Sequence, residues 1–298
     1  MKKPNYLKPQ DKVAIVCTAR KFTAIDAQPA MDLLKSWDLI PVLGITIGLD
    51  NFQLGGSDEE RAADFQAQLD NPEIKAIWIA RGGYGSVRII DKLNFDKFLQ
   101  NPKWIVGFSD ITVLHSHINT LGVSTIHGIM PYTVPNTIET SIESLKKALF
   151  GESLSYEISS HSDNRIGKTT GELVGGNLSI IYSLLGSESS IDTNGKILYI
   201  EDLDEYLYHI DRMMQNLKRN GYFKNLKGLI VGGMTDMHDN SIPFGLDAIG
   251  IIKDVTSEYD FPICFYFPAG HVKDNRALRL GQEISFEVTE NKVEVNFL

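Results

Sequence analysis

Ser109 stands in Gly107-Phe108-Ser109-Asp110-Ile111, between an apolar run, Trp104-Ile105-Val106, and a segment from Thr112 to Leu121 that reads as a helix. The run reads as a short buried strand. A serine on a sharp strand-to-helix turn is lifted out of the sheet, with its hydroxyl exposed and the first N–H groups of the helix beside it. Such a turn can present a nucleophile and stabilise an oxyanion together. A serine or aspartate there can equally be a helix cap, and the local pattern leaves both readings open.

A glycine loop follows another apolar strand. Arg81-Gly82-Gly83-Tyr84-Gly85-Ser86 comes after Ile74 to Ala80 and opens a helix predicted over Ser86 to Leu93. The dinucleotide fingerprint wants a further glycine where this chain has Arg88, and the Gly-Lys-Ser/Thr ending of a P-loop is missing. Adjacent glycines serve a tight turn with positive φ. They also let a backbone N–H approach a reacting carbonyl as half of an oxyanion hole.

A serine nucleophile needs a base and a group that orients the base. His115 and His117 lie on the helix after Ser109 and cannot easily fold back, so packing or surface roles suit them. His127, in Ile126-His127-Gly128, could line a site, while His161, His209 and His238 sit in polar surroundings. His271 follows the apolar run Ile263 to Pro268 on a loop, Ala269-Gly270-His271, and is the candidate base, with a hydrogen-bonded loop histidine as the alternative. Glu201 ends the strand Ile197-Leu198-Tyr199-Ile200 and is the candidate acid. Asp204 and Glu205 are explained by the positive end of the helix that follows. Glu201, flush with an apolar strand end, needs a partner.

These residues must be positioned by a chain of 298 residues, 43% hydrophobic and 22% charged, which suits one large or two ordinary globular domains. A net charge of −9 without a Lys/Arg cluster argues against nucleic-acid and anionic-membrane surfaces. Cys17 and Cys264 lack metal-type spacing, so neither a zinc site nor a disulfide framework is expected. No apolar run reaches membrane-spanning or signal-peptide length, and a soluble, reducing, cytoplasmic setting is the simplest reading. Strand and helix signals alternate through the first half: a strand over Lys12 to Thr18, a helix over Ala24 to Trp37, and a capping box at Ser57 opening a helix to about Leu69. This pattern predicts a mostly parallel sheet covered on both faces, with ligands at the carboxyl ends of its strands. The pattern loosens from Pro131 to about Lys168, where the domain boundary is placed. Farther on, Leu207, Ile210, Met213, Met214 and Leu217 make a helical stripe, and Glu283 to Val288 with Lys292 to Phe297 an antiparallel pair.

In their order along the chain these motifs resemble those of the L,D-carboxypeptidases, serine peptidases that include murein tetrapeptide carboxypeptidases and microcin C immunity peptidases. The matching stretches are Arg81 to Gly85, Gly107 to Thr112, His127-Gly128, Gly175-Gly176-Asn177-Leu178, Leu198 to Asp202, and Gly270-His271 with Asp274-Asn275. The resemblance implies a triad of Ser109 as nucleophile, His271 as general base and Glu201 orienting the imidazole. It also implies an oxyanion hole from the N–H groups of Gly83 and Asp110. The implied fold is α/β, with an N-terminal Rossmann-like parallel-sheet domain (1–135), a linker (136–165) and a smaller β-rich C-terminal domain (166–298). The active site would lie between the domains. A homodimer is implied too, with the Met213/Met214 helix as a candidate contact surface; no cofactor or metal is implied.

By the same resemblance the substrate is a murein tetrapeptide that loses its terminal D-alanine in cell-wall recycling. An exopeptidase must hold a free carboxylate, which favours a cation or a helix N-terminus; Arg81, Lys273 and Arg276 are the candidates. Relatives commonly carry a proline near Leu278-Arg279-Leu280-Gly281, so Arg279 bears on specificity. The first alternative is an immunity-type peptidase that cleaves a peptidyl-nucleotide amide and stacks the base on a C-terminal-domain tryptophan. Here Trp37, Trp78 and Trp104 all lie in the first half, which disfavours it, although Tyr182 or Tyr206 could stack. From another class, a non-catalytic small-ligand-binding protein could use the same cleft, but it needs no base and acid around one serine. A glutaminase-type amidotransferase would want cysteine in place of Ser109.

Overall fold

Runs such as Lys12–Val16 and Ile74–Ile79 are nearly continuous in apolar residues because strands of a covered parallel sheet bury both faces. The computed structural model describes residues 1–298. In its first half, β1 (Lys12–Val16), β2 (Ile40–Leu43), β3 (Ile74–Ile79), β4 (Trp104–Gly107) and β5 (Thr125–His127) form a parallel sheet in the order β5-β4-β3-β1-β2. Helices α1 (Ala24–Ser36), α2 (Asp58–Asp70), α3 (Asp96–Gln100) and α4 (Thr112–Thr120) connect them. Both α1 and α2 begin with the reciprocal side-chain caps their sequences call for, Thr23 with Asp26 and Ser57 with Glu60. Strand β1 sends Val13 and Ile15 into the core that also holds Leu34 of α1, and Ala14 and Val16 into the core that holds Phe65 of α2.

The helix predicted over Ser86 to Leu93 is instead two short 3-10 turns, Ser86–Arg88 and Ile90–Lys92. Val87, Ile89 and Ile90 are β-branched, which lowers the helix propensity of this segment.

Downstream come α5 (Glu139–Phe150), β6 (Ser155–Ser159), β7 (Gly167–Asn177), α6 (Leu178–Ser183), β8 (Ile197–Leu203), α7 (Leu207–Arg219), β9 (Gly228–Thr235), α8 (Ala248–Val255), β10 (Ile263–Cys264), β11 (Leu278–Leu280), β12 (Glu283–Val288) and β13 (Lys292–Phe297). Seven of these strands make a second sheet in the order β10-β9-β8-β7-β12-β13-β6, parallel from β10 to β7 and antiparallel beyond. The stretch 136–165 therefore holds a helix and an edge strand of that sheet. Met213 and Met214 of α7 are fully buried with Leu198 and Leu229, so these two side chains are core. No helix is long and apolar enough to cross a membrane.

Strand β11 leaves the second half and pairs antiparallel with β5, completing the first sheet. The two sheets also share a core in which Trp104 and Val106 join Leu173, Tyr199 and Phe286. Arg279 of β11 is buried and donates to the carbonyls of Lys147, Ala148 and Glu152, closing the end of α5, with its guanidinium over the Tyr6 ring. It thus acts on the fold rather than on substrate choice. Truncation at Arg279→Ala removes the guanidinium from the Ala148 and Glu152 carbonyls, leaves Lys147 only its backbone donors, and should cost about 2–4 kcal/mol of stability. Urea unfolding measures the loss, with kcat unchanged in the folded fraction.

Candidate active site

The turn after β4 is strained at one residue. Ser109 has φ +64°, a left-handed conformation that costs a non-glycine residue roughly 1–2 kcal/mol. Surrounding contacts hold it there. A Cβ on Gly107 would lie 2.8 Å from Ile111, so the chain turns tightly against that side chain. Asp110 is buried, and its Oδ2 accepts the Ser86 N–H at 2.9 Å, tying the serine turn to the glycine loop. Burial raises the Asp110 carboxyl above its usual range. Arg61, fully buried, donates to the carbonyls of Thr18 and Gly85 and fixes the same loop from behind.

This bracing brings two loops to one point. A Cβ on Gly82 would sit 3.3 Å from Ser109 Oγ, and Gly83 has φ +109°. The Gly83 N–H has no acceptor within the protein. The Asp110 N–H lies in the first turn of the helical segment that leads into α4, where backbone donors are free.

Glu201 on β8 is fully buried. Its Oε2 accepts both the backbone N–H of His271 at 3.1 Å and His271 Nδ1–H at 2.7 Å, while Oε1 accepts Asn177 Nδ2 at 3.3 Å. Gly270, φ +97°, permits this approach, because a Cβ there would lie 2.6 Å from Glu201 Oε2. Burial pulls the His271 pKa down, but the adjacent Glu201 charge and hydrogen bond outweigh it, and the net value is raised. With Nδ1 committed to Glu201, Nε2 is the nitrogen left for chemistry. Phe108 packs against the imidazole at 4.9 Å between centroids.

Ser109 and His271 line one cavity of about 560 Å³, together with Gly83, Asp110, Asn177 and Asp202. The His271 ring bonds Glu201 through Nδ1 and makes no hydrogen bond to the serine hydroxyl, a contact that in serine hydrolases tightens when substrate binds. Arg81 reaches the same cavity and stacks on Tyr132, its Cζ 4.1 Å from the ring centroid. Lys273 is exposed and lines an adjoining cavity that shares His271. Arg276 lines neither. Its guanidinium makes a bidentate pair with Asp274, which removes it from the candidates for carboxylate binding.

His127 does not line the cavity either. It is fully buried behind Phe108 and against Tyr199, and burial keeps its pKa well below the ordinary value. His115, with Nε2 on the Gly107 carbonyl, is likewise buried and pushed down to about 4. No three His, Cys, Asp or Glu side chains converge as metal ligands.

Sequence reasoning missed several cavity residues. Arg20, in the loop between β1 and α1, lies over Gly83, whose Cβ would fall 2.6 Å from Arg20 Nε. Asn177 and Asp202 were visible only as members of longer motifs. The signal for Arg20 was its position: it follows the carboxyl end of a parallel strand, as Arg81 and Ser109 do.

Comparison with known proteins agrees with this architecture. Residues 13–128 match the family model described as LD-carboxypeptidase N-terminal domain, and residues 170–286 the LD-carboxypeptidase C-terminal domain. The chain is 33% identical, over 97% of its length and 92% of the relative's, to a probable murein peptide carboxypeptidase of Bacillus subtilis. It is 26% identical to the microcin C7 self-immunity protein of Escherichia coli, over 85% of this chain and 83% of that protein. The crystal structure of muramoyltetrapeptide carboxypeptidase from Oxalobacter formigenes superposes with a TM-score of 0.87 at 25% identity, covering 96% of this chain and 98% of that one. The chain belongs to the LD-carboxypeptidase family, and is a hydrolase of the serine-type carboxypeptidase class.

Proposed function

We propose that this enzyme hydrolyses the L,D peptide bond that releases the terminal D-alanine of murein tetrapeptides, with Ser109 as nucleophile, His271 as general base and Glu201 as the group that orients it. The observation that carries the reading is the pairing of a strained serine with a buried carboxylate–imidazole dyad across one cavity. Ser109 Oγ attacks the scissile carbonyl while His271 Nε2 takes its proton. The oxyanion forms against the N–H groups of Gly83 and Asp110. His271 then protonates the leaving amine, and water repeats the sequence on the acyl-enzyme. On this reading residues 1–135 carry the nucleophile, 136–165 connect, and 166–298 carry acid and base. The enzyme would act on recycled wall fragments in the cytoplasm, as a homodimer.

The charges in the cavity support an exopeptidase. Arg20 and Arg81 stand on the side of the glycine loop, and neither is ion-paired within the protein, whereas Arg276 is. They are the cations proposed to hold the free carboxylate of the departing D-alanine. The immunity-type alternative is not favoured: Trp37, Trp78 and Trp104 are all buried, and neither Tyr182 nor Tyr206 lines the cavity.

Ser109→Ala should fold normally and lose roughly 10³-fold or more of D-alanine release from tetrapeptides, read by mass spectrometry across a panel of muropeptides. Retained activity would sink the assignment. Glu201→Gln should lower kcat by about 10²- to 10⁴-fold. It should also shift the acid limb of kcat/KM to lower pH: the base works only when neutral, and removing the Glu201 charge lowers the raised His271 pKa. Arg20→Ala and Arg81→Ala should raise KM about tenfold with kcat little changed, and the difference should vanish on a C-terminally amidated peptide.

A further inference from the structure

Neighbouring residues of a regular strand face opposite ways, yet Glu201 and Asp202 both hydrogen-bond the side-chain amide of Asn177. The register of β8 against β9 slips between Ile200 and Asp202, and this irregularity turns both carboxyls toward the same partner. Asn177 pairs with Glu201 across β7 and β8 and donates Nδ2 to Asp202 Oδ1 at 2.9 Å. Its backbone N–H donates to Thr112 Oγ1 at 2.9 Å, three residues beyond Ser109. One residue therefore links the start of α4 to the strand that carries Glu201.

Asp202 is itself 2% exposed and accepts two further donors, Leu203 N–H at 2.9 Å and Ser179 N–H at 2.8 Å. All its contacts suit an ionised acceptor. We propose that Asp202 is a positioning residue for the hydrolytic step: it anchors the Asn177 amide, and that amide keeps Glu201, and through it His271, in register with the Ser109 turn. This rests on the proposed triad. The ionisable groups around Asp202 are Glu201 on its own strand and His271 on the loop after β10. The facing residues of β7, α6 and β9 are Asn177, Ser179 and Met234, none of which titrates. Burial and the Glu201 charge push Asp202 up to about 7, so the cluster holds this second carboxyl against electrostatic opposition. An amide in its place keeps the volume but sets an N–H against a donor, Ser179 N–H or one of the others.

The test is a double-mutant cycle of Asp202→Asn and Asn177→Ala on tetrapeptide hydrolysis, with folding checked by thermal unfolding. Each variant should lower kcat about tenfold or more with KM within about threefold, and the double variant should be no worse than the poorer single one. In Asp202→Asn the acid limb of kcat/KM should also move to lower pH, because the Asp202 charge favours the His271 imidazolium. If Asp202→Asn does not fold, Asn177→Ala breaks the same link and must show the same kcat-selective loss. Wild-type kcat with an unmoved acid limb, or additive losses, overturns the proposal. Ser109→Ala separates this from the triad itself: activity there fails the nucleophile, whereas its loss beside a wild-type Asp202→Asn fails only Asp202.

Discussion

A carboxylate with no exposure to water has to be supplied with donors by the protein, and Glu201 is the place where this chain meets that requirement. Its three donors come from two separate segments: β7 through Asn177, and the loop after β10 through both the backbone and the ring of His271. Each approach needs an absent side chain. Gly270 makes room beside the carboxylate, a Cβ on Gly176 would strike Thr112 Oγ1, and one on Gly175 would run into the carbonyl of Tyr199. The local geometry of the second sheet near its carboxyl edge follows from bringing those donors to one buried oxygen pair. The same network reaches Thr112 and so fixes where α4, and the turn before it, can sit.

Legibility in the sequence followed the range of the interaction. The Ser109 turn, the glycine loop, the capped helices α1 and α2 and the β12–β13 hairpin are specified by neighbours in the chain, and all were readable. Glu201 was singled out because a carboxylate ending an apolar strand has few benign explanations. Arg20 was not singled out and Asp202 was visible only within a motif, since what distinguishes them is contact with Gly83 and Asn177 from distant segments. Lys273, Arg276 and Arg279 look alike as cations in one stretch, yet the fold exposes the first, pairs the second with Asp274 and buries the third on carbonyls. Burial sorts them, and burial is a property of the whole chain.

The cavity is electrically asymmetric. Arg20 and Arg81 stand on the side contributed by the first sheet, while Asp202, Asp204 and Glu205 line the side contributed by β8 and the turn after it. Asp204 and Glu205 are each engaged by a histidine, His238 and His209. A field of this shape orients a dipolar peptide before any specific contact forms. It places the proposed carboxylate end of the substrate beside the glycine loop, where the leaving amino acid must be for Ser109 to reach the preceding carbonyl. A neutral ligand would gain nothing from this arrangement.

Strand β11 gives the architecture an order of assembly. Residues 278–280 supply the edge of a sheet whose other five strands are complete by residue 127. During synthesis, β5 must therefore wait, with an unpaired edge of N–H and C=O groups, for about 150 further residues to emerge. The sheet that carries Ser109 is closed only by the chain that has just delivered His271. A nascent or truncated protein thus holds its serine turn on an open-edged sheet with no base beside it. The nucleophile and its base come together in the same late event that protects the chain from edge-to-edge aggregation.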